Sequence, residues 1–120
     1  MNINFDNNTP IYIQIVEYLK LQIISGKLLP NEKLPSVREL AYNMKVNPNT
    51  MQKALSDLED LELIYTERTN GKFVTTSEKT INKYKKEYIE KITKNYINNM
   101  QEIGIDIEEI KNIIGGQKWI

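Results

Sequence analysis

The sequence predicts a mainly α fold with one small β-hairpin, built in two parts, and three observations predict it. Two short amphipathic segments, each opened by a helix-start signal, follow one another between Ser36 and Asp60. Two stretches of strand composition then flank Asn70-Gly71. From Ser77 onward, isoleucine and tyrosine recur every three or four residues, the period of one helix face.

The elements follow in order. Thr9-Pro10 predicts a helix start, with Thr as N-cap and Pro at the first helical position. Ile11, Ile15, Leu19 and Ile23 then form a stripe widened by Tyr12 and Val16, and Gly26 stops it. Lys27 to Pro35, with two prolines and an Asn, reads as an extended loop. Ser36-Val37-Arg38-Glu39 is a capping box, opening a short helix with Val37, Leu40, Ala41 and Met44 on one side. Asn47-Pro48 repeats the start signal for a helix to about Asp60, with Met51, Ala54, Leu55 and Leu58 inward. Only Lys45 to Asn47 link the two, which is the pattern of a helix-turn-helix.

Leu63 to Thr66 and Lys72 to Thr76 read as strands. Asn70-Gly71 suits a two-residue type I′ turn, which needs positive φ at both positions. That register sets Arg68 opposite Phe73. A hairpin directly after the second helix makes a winged helix-turn-helix over residues 1–76. Over 77–120 the pattern is a two-helix arm. Its stripe of Ile81, Tyr84, Tyr88, Ile92, Tyr96, Met100 and Ile103 would run about 40 Å along one helix. Gly104 ends it, and Asp106 caps a last helix carrying Ile107, Ile110, Ile113 and Ile114. A winged helix cannot bury so long a stripe alone, so these residues, Ile81 through Ile110, are the candidate dimerisation surface, for a homodimer. The tyrosines could also stack bases or line a pocket, but at helical spacing packing is the simpler reading. The tail from Gln117 to Ile120 carries no signal.

Composition limits the chemistry. Without His or Cys there is no Ser-His-Asp triad, no thiol nucleophile and no ordinary zinc site, so no catalytic or metal-ligating residue and no cofactor is expected. No phosphate-cradling glycine motif occurs. No apolar run is long enough for a membrane span, the N-terminus lacks a signal-peptide pattern, and the absence of cysteine suits a cytoplasmic protein. The 16 basic and 16 acidic residues cancel, which argues against nucleic-acid binding unless the basic groups share a face. The lysines between 79 and 94 alternate with Glu78, Glu87 and Glu90 and read as a solvated face.

The block Leu34-Pro35-Ser36-Val37-Arg38-Glu39-Leu40-Ala41 resembles the LPSxRELA signature of GntR-type bacterial repressors. Val46 to Leu55 resembles the recognition helix of the YtrA subfamily, and Ile64 to Thr66 with Gly71 to Val74 resembles its wing. The resemblance covers roughly residues 9–76 and extends less specifically to the two-helix arm. It departs at Pro30-Asn31, where Pro-Gly is usual, at Pro48 and Gln52, where many relatives carry Arg, and at the shorter wing turn Thr69-Asn70-Gly71.

The resemblance implies a dimeric transcriptional repressor acting on a double-stranded DNA operator, with a transporter operon as its target. A recognition helix needs short polar groups at the end that enters the major groove, and Asn47, Asn49, Thr50, Gln52 and Lys53 supply them. Asn47 can equally be a cap alone. Ser36 and Arg38 lie where the motif crosses the DNA backbone, although Arg38 could pair with a neighbouring Glu. Arg68, Gly71 and Lys72 belong to the wing, where the charges contact phosphate or simply keep the tip soluble. With the arm's apolar faces committed to a partner, no large metabolite pocket is expected beyond the dimer seam or the arm's junction with the head. Two rivals stand against this reading: a winged helix that binds protein and not DNA, and a small carboxylate metal enzyme.

Overall fold

The computed structural model describes residues 3–116. Its elements are α1 (Ile11–Ile24), α2 (Val37–Met44), α3 (Pro48–Asp60), β1 (Ile64–Glu67), β2 (Gly71–Val74), α4 (Glu78–Glu102) and α5 (Ile107–Gly115). The order and type match the expectation, a winged helix-turn-helix followed by two helices.

Three helices make the core. α1 buries Ile15, Val16, Leu19, Ile23 and Ile24, and packs chiefly against α3, where Met51, Ala54, Leu55 and Leu58 are fully covered. α2 adds Leu40, Ala41 and Met44. Each fully covered Leu, Ile or Met contributes about 1.5–3 kcal/mol relative to exposure. The α2–α3 turn is tight because Lys45 adopts a left-handed conformation (φ 58). There it closes α2 with bonds from Lys45 N to the Tyr42 carbonyl (3.2 Å) and from Val46 N to the Ala41 carbonyl (3.0 Å).

The start of α1 differs from expectation. Pro10, with extended backbone (ψ 141), takes the N-cap position and no side chain caps the helix. The Thr9 carbonyl accepts from Gln14 Nε2 at 2.7 Å, and the same amide group bonds Asp6, so Gln14 ties down the entering segment.

The 27–35 segment is also more ordered than a plain loop. It runs along β2: Leu34 N donates to the Lys72 carbonyl (2.8 Å), Val74 N to the Glu32 carbonyl (2.9 Å), and Lys33 bridges Phe73. Asn31 holds φ 66, a left-handed conformation that Asn tolerates.

The hairpin has a different register from the one predicted. Ile64 faces Val74, Tyr65 faces Phe73, Thr66 faces Lys72 and Glu67 faces Gly71. Three residues, Arg68 to Asn70, form the turn, so Arg68 lies in the tip and not opposite Phe73. A type I′ turn would need positive φ at Asn70 as well as at Gly71. Only Gly71 has it (φ 104), and Asn70 instead closes the turn with its N–H on the Glu67 carbonyl (3.2 Å).

The chain divides into two compact units, with the break between Tyr84 and Lys85, inside α4. The sequence had set the boundary at 76/77. The first turns of α4 belong with the head because Tyr84 is buried there, its ring under the Lys20 ammonium at 5.2 Å. In the second unit Asp106 caps α5 as expected, accepting from Glu109 N at 2.9 Å.

Candidate nucleic-acid interface

The inward stripe of α3 leaves Asn49, Gln52 and Lys53 on its outer face, near the end that Pro48 starts. Asn47 is the cap: its Oδ1 accepts from Asn49 N at 2.7 Å. The side chains of Asn49 and Gln52 are exposed and make no hydrogen bond among the described residues, so both can meet an outside ligand. Thr50 is half-buried beside them. Lys53 is turned away, since its ammonium sits 3.9 Å from the centroid of the Tyr12 ring on α1. Its long stem and the apolar edge of α1 draw it toward the helix pair and away from the position expected of a DNA contact.

On α2 the capping box is complete: Glu39 N donates to Ser36 Oγ (3.1 Å) and Ser36 N to Glu39 Oε1 (3.4 Å). Glu39 is thereby occupied, and Arg38 has no ion pair among the described residues. One turn further along the same face, Tyr42 stands 84% exposed, which sequence reasoning missed. Helical spacing from Arg38 could have flagged it.

The wing changes the roles expected of its two cations. Arg68 is exposed in the turn and has no ion pair among the described residues. Lys72 is engaged: its ammonium pairs with Glu59 of α3 and donates to Thr66 Oγ1 at 2.9 Å, while the Thr66 hydroxyl donates to Glu59. Hydrogen bonds from Lys72 and then Thr66, together with the lysine's charge, outweigh partial burial and hold the Glu59 carboxyl below its ordinary 4.5. The Lys72 ammonium is therefore paired within the head. The mispredicted register hid this, because only the true one sets Lys72 beside Thr66.

Between the N-terminal end of α2 and the wing lies an open groove of about 740 Å³, lined among others by Lys33, Ser36, Glu39, Arg68 and Gly71. It lies within the head, where the sequence left no room for a concavity, and its walls mix apolar groups such as Leu34, Pro35 and Val37 with polar and charged ones. Lys33, another residue missed from sequence, passes over the wing turn: a Cβ on Gly71 would come within 3.5 Å of its Cε. Lys33 and Arg68 line this groove and have no ion pair among the described residues, and its acidic neighbours Glu39 and Glu67 are each engaged, Glu67 by the Asn70 amide (3.0 Å).

Of the expected dimerisation residues, Ile92 (46%), Tyr96, Ile103 (73%) and Ile107 are exposed in the single chain, and Ile81, Tyr88 and Met100 are half-buried. Tyr84 and Ile110 are already buried, so neither is free to face a partner. Ile89, which the stripe had omitted, is exposed. No helix among the described residues is long and apolar enough to cross a membrane.

Comparison with known proteins bears on this geometry. The family model for bacterial regulatory proteins of the gntR family matches residues 11–74. The repressor YtrA of Bacillus subtilis (strain 168) is 36% identical over 87% of this chain and 81% of its own length. A GntR family transcriptional regulator from Listeria monocytogenes superposes with a TM-score of 0.85 at 38% identity, covering 95% of this chain and all of that one. The DNA-binding domain of AraR, solved in complex with operator ORX1, superposes with a TM-score of 0.57 at 31% identity, covering 62% of this chain and 95% of that one. Its winged helix, its element order and these matches place the chain in the gntR family of bacterial regulatory proteins, as a DNA-binding transcriptional regulator.

Proposed function

We propose that the chain is a homodimeric, sequence-specific repressor, acting in the cytoplasm by binding an operator and catalysing no reaction. In this reading α3 enters the major groove and Asn49 and Gln52 read base edges, their amides suiting adenine. Arg38, Lys33 and Arg68 meet phosphates on either side, with Tyr42 donating its hydroxyl to the backbone. The helical unit from Lys85 on pairs two chains through Ile89, Ile92, Tyr96 and their neighbours, so that the two heads address two half-sites. The observation that carries the reading is the outer face of α3: two exposed amide side chains with no hydrogen-bond partner among the described residues, in a head where Lys33, Arg38 and Arg68 also have no ion pair among those residues. Repression is supported by the name of YtrA, and operator binding by the AraR complex.

Fragments selected from random-sequence DNA, followed through a salt titration, test this. Three phosphate-facing cations on each of two heads give a slope of log K against log salt of about −5. Selection that enriches nothing, or retention indifferent to salt, contradicts the proposal.

A further inference from the structure

We infer that Glu59, Thr66 and Lys72 are positioning residues that brace the wing against the DNA-reading helix, so that Lys72 supports DNA binding by placing the wing and not by meeting a phosphate. The inference rests on the DNA-binding reading above. Its ground is a closed triangle of groups: the Lys72 ammonium on the Glu59 carboxylate and the Thr66 hydroxyl, and that hydroxyl on the carboxylate. Thr66 and Lys72 are directly opposed on β1 and β2, so their side chains leave the hairpin on one face, toward α3. On the other face Tyr65 and Phe73 stack at 5.6 Å. Glu59 lies in the last turn of α3, the helix whose opposite end carries Asn49 and Gln52. The triangle thus ties the wing to the element that reads bases.

Leverage makes this matter. Arg68 lies two residues beyond the Thr66–Lys72 rung, roughly 7 Å at strand spacing, so a small rotation at the rung displaces the tip from its phosphate. The ion pair is shielded enough to hold: the Lys72 and Glu59 side chains are 18% and 34% exposed. Glu59, held below its ordinary 4.5, stays ionised throughout the range in which DNA binding is measured.

Charge alone and bracing predict opposite signs for one substitution. Removing a carboxylate near DNA should tighten binding by electrostatics. If Glu59 is a brace, Glu59→Gln weakens binding, because the wing loosens. The full-length protein, with Glu59→Gln, Lys72→Met and both together, is titrated with a duplex that the wild type selects from random-sequence DNA. Each single variant is expected to bind about tenfold more weakly, equivalent to about 1.4 kcal/mol. The double variant should bind no worse than either single, and the salt slope should stay at its wild-type value. Amide exchange should quicken at residues 70–72 while the amides of Leu55 and Leu58 keep their protection. Tighter binding by Glu59→Gln, additive losses, or a slope shallower by about one in Lys72→Met would overturn the inference and return Lys72 to a phosphate. Exchange that quickens equally in α3 would overturn it too, since the triangle would then support the whole head. A wild type that selects no duplex removes the DNA-binding reading and this inference together.

Discussion

The head, up to Tyr84, and the helical unit from Lys85 on differ in where they put their apolar side chains. Among the described residues, all of the buried apolar side chains but one belong to the head, the exception being Ile110. Ile13, Leu29 and Tyr42 are exposed in the head, but most of the exposed ones lie in the second unit: Ile89, Ile92, Tyr96, Ile103, Ile107, Ile113 and Ile114. A closed core explains itself within one chain. Helices that leave this much apolar surface in water are explained by something that covers it, and a symmetric second copy is the simplest cover. Under the proposed dimer, the two units answer to different equilibria, the head to folding and the second unit to association.

The comparison is broken most forcefully in the core. Leu55→Ala, at a position with no exposure, is expected to cost about 2–5 kcal/mol in urea unfolding, whereas Ile103→Ala at 73% exposure should leave the unfolding of the head almost unchanged. A Leu55→Ala loss below about 1 kcal/mol would mean that the head is not closed by itself. Next comes association. Ile92→Ala should weaken the dimer by roughly tenfold or more in sedimentation equilibrium, and a charged Glu at Ile89 or Ile92 should leave monomers at micromolar concentration. Unchanged sedimentation would place the partner surface elsewhere.

Smaller effects sharpen the division within the head. Gln52→Ala or Asn49→Ala should lose about 1–3 kcal/mol on the preferred duplex and little on random DNA. Arg38→Ala and Lys33→Ala should weaken both kinds of DNA alike, each with a salt slope shallower by about one for every phosphate lost. The smallest effect concerns acid. Because Glu59 has a folded-state pKa below its ordinary 4.5, its contribution to stability is complete above that pH and disappears as the pH falls through the lower folded value. In acid titrations, Glu59→Gln should therefore flatten the stability profile below pH 4.5 and leave its shape above that pH unchanged.

Much of this is legible in the sequence, for physical reasons specific to each element. The capping box at Ser36 and the Asn47-Pro48 start are local: their bonds join residues two or three apart, so spacing alone reveals them. The periodic stripes of α1 and α3 were readable because a core face repeats with the helix turn. What escaped depended on contacts distant in sequence. Asn-Gly suggested a two-residue turn, yet the pairing of Lys33 and the 31–34 backbone with β2 accompanies a three-residue one. That shift moved Lys72 from the tip to a rung facing Glu59, 13 residues away. Nothing local to Lys53 shows the Tyr12 ring on α1 that its ammonium meets. Tyr84 looked like the next tooth of a dimer stripe, and only the fold brings Lys20 over it. In the candidate site, then, the polar face of α3 was readable from position, while the distinction between free and engaged cations was not.

The most direct test of the account is a hydroxyl-radical footprint of the full-length protein on its selected duplex. Two heads held by a paired helical unit should protect two half-sites whose centres lie about 10 base pairs, one helical turn, apart, or a multiple of that. The protection should vanish with the Ile92→Glu variant at concentrations where the wild type is fully bound. A single protected site, unaffected by Ile92→Glu, would contradict the account.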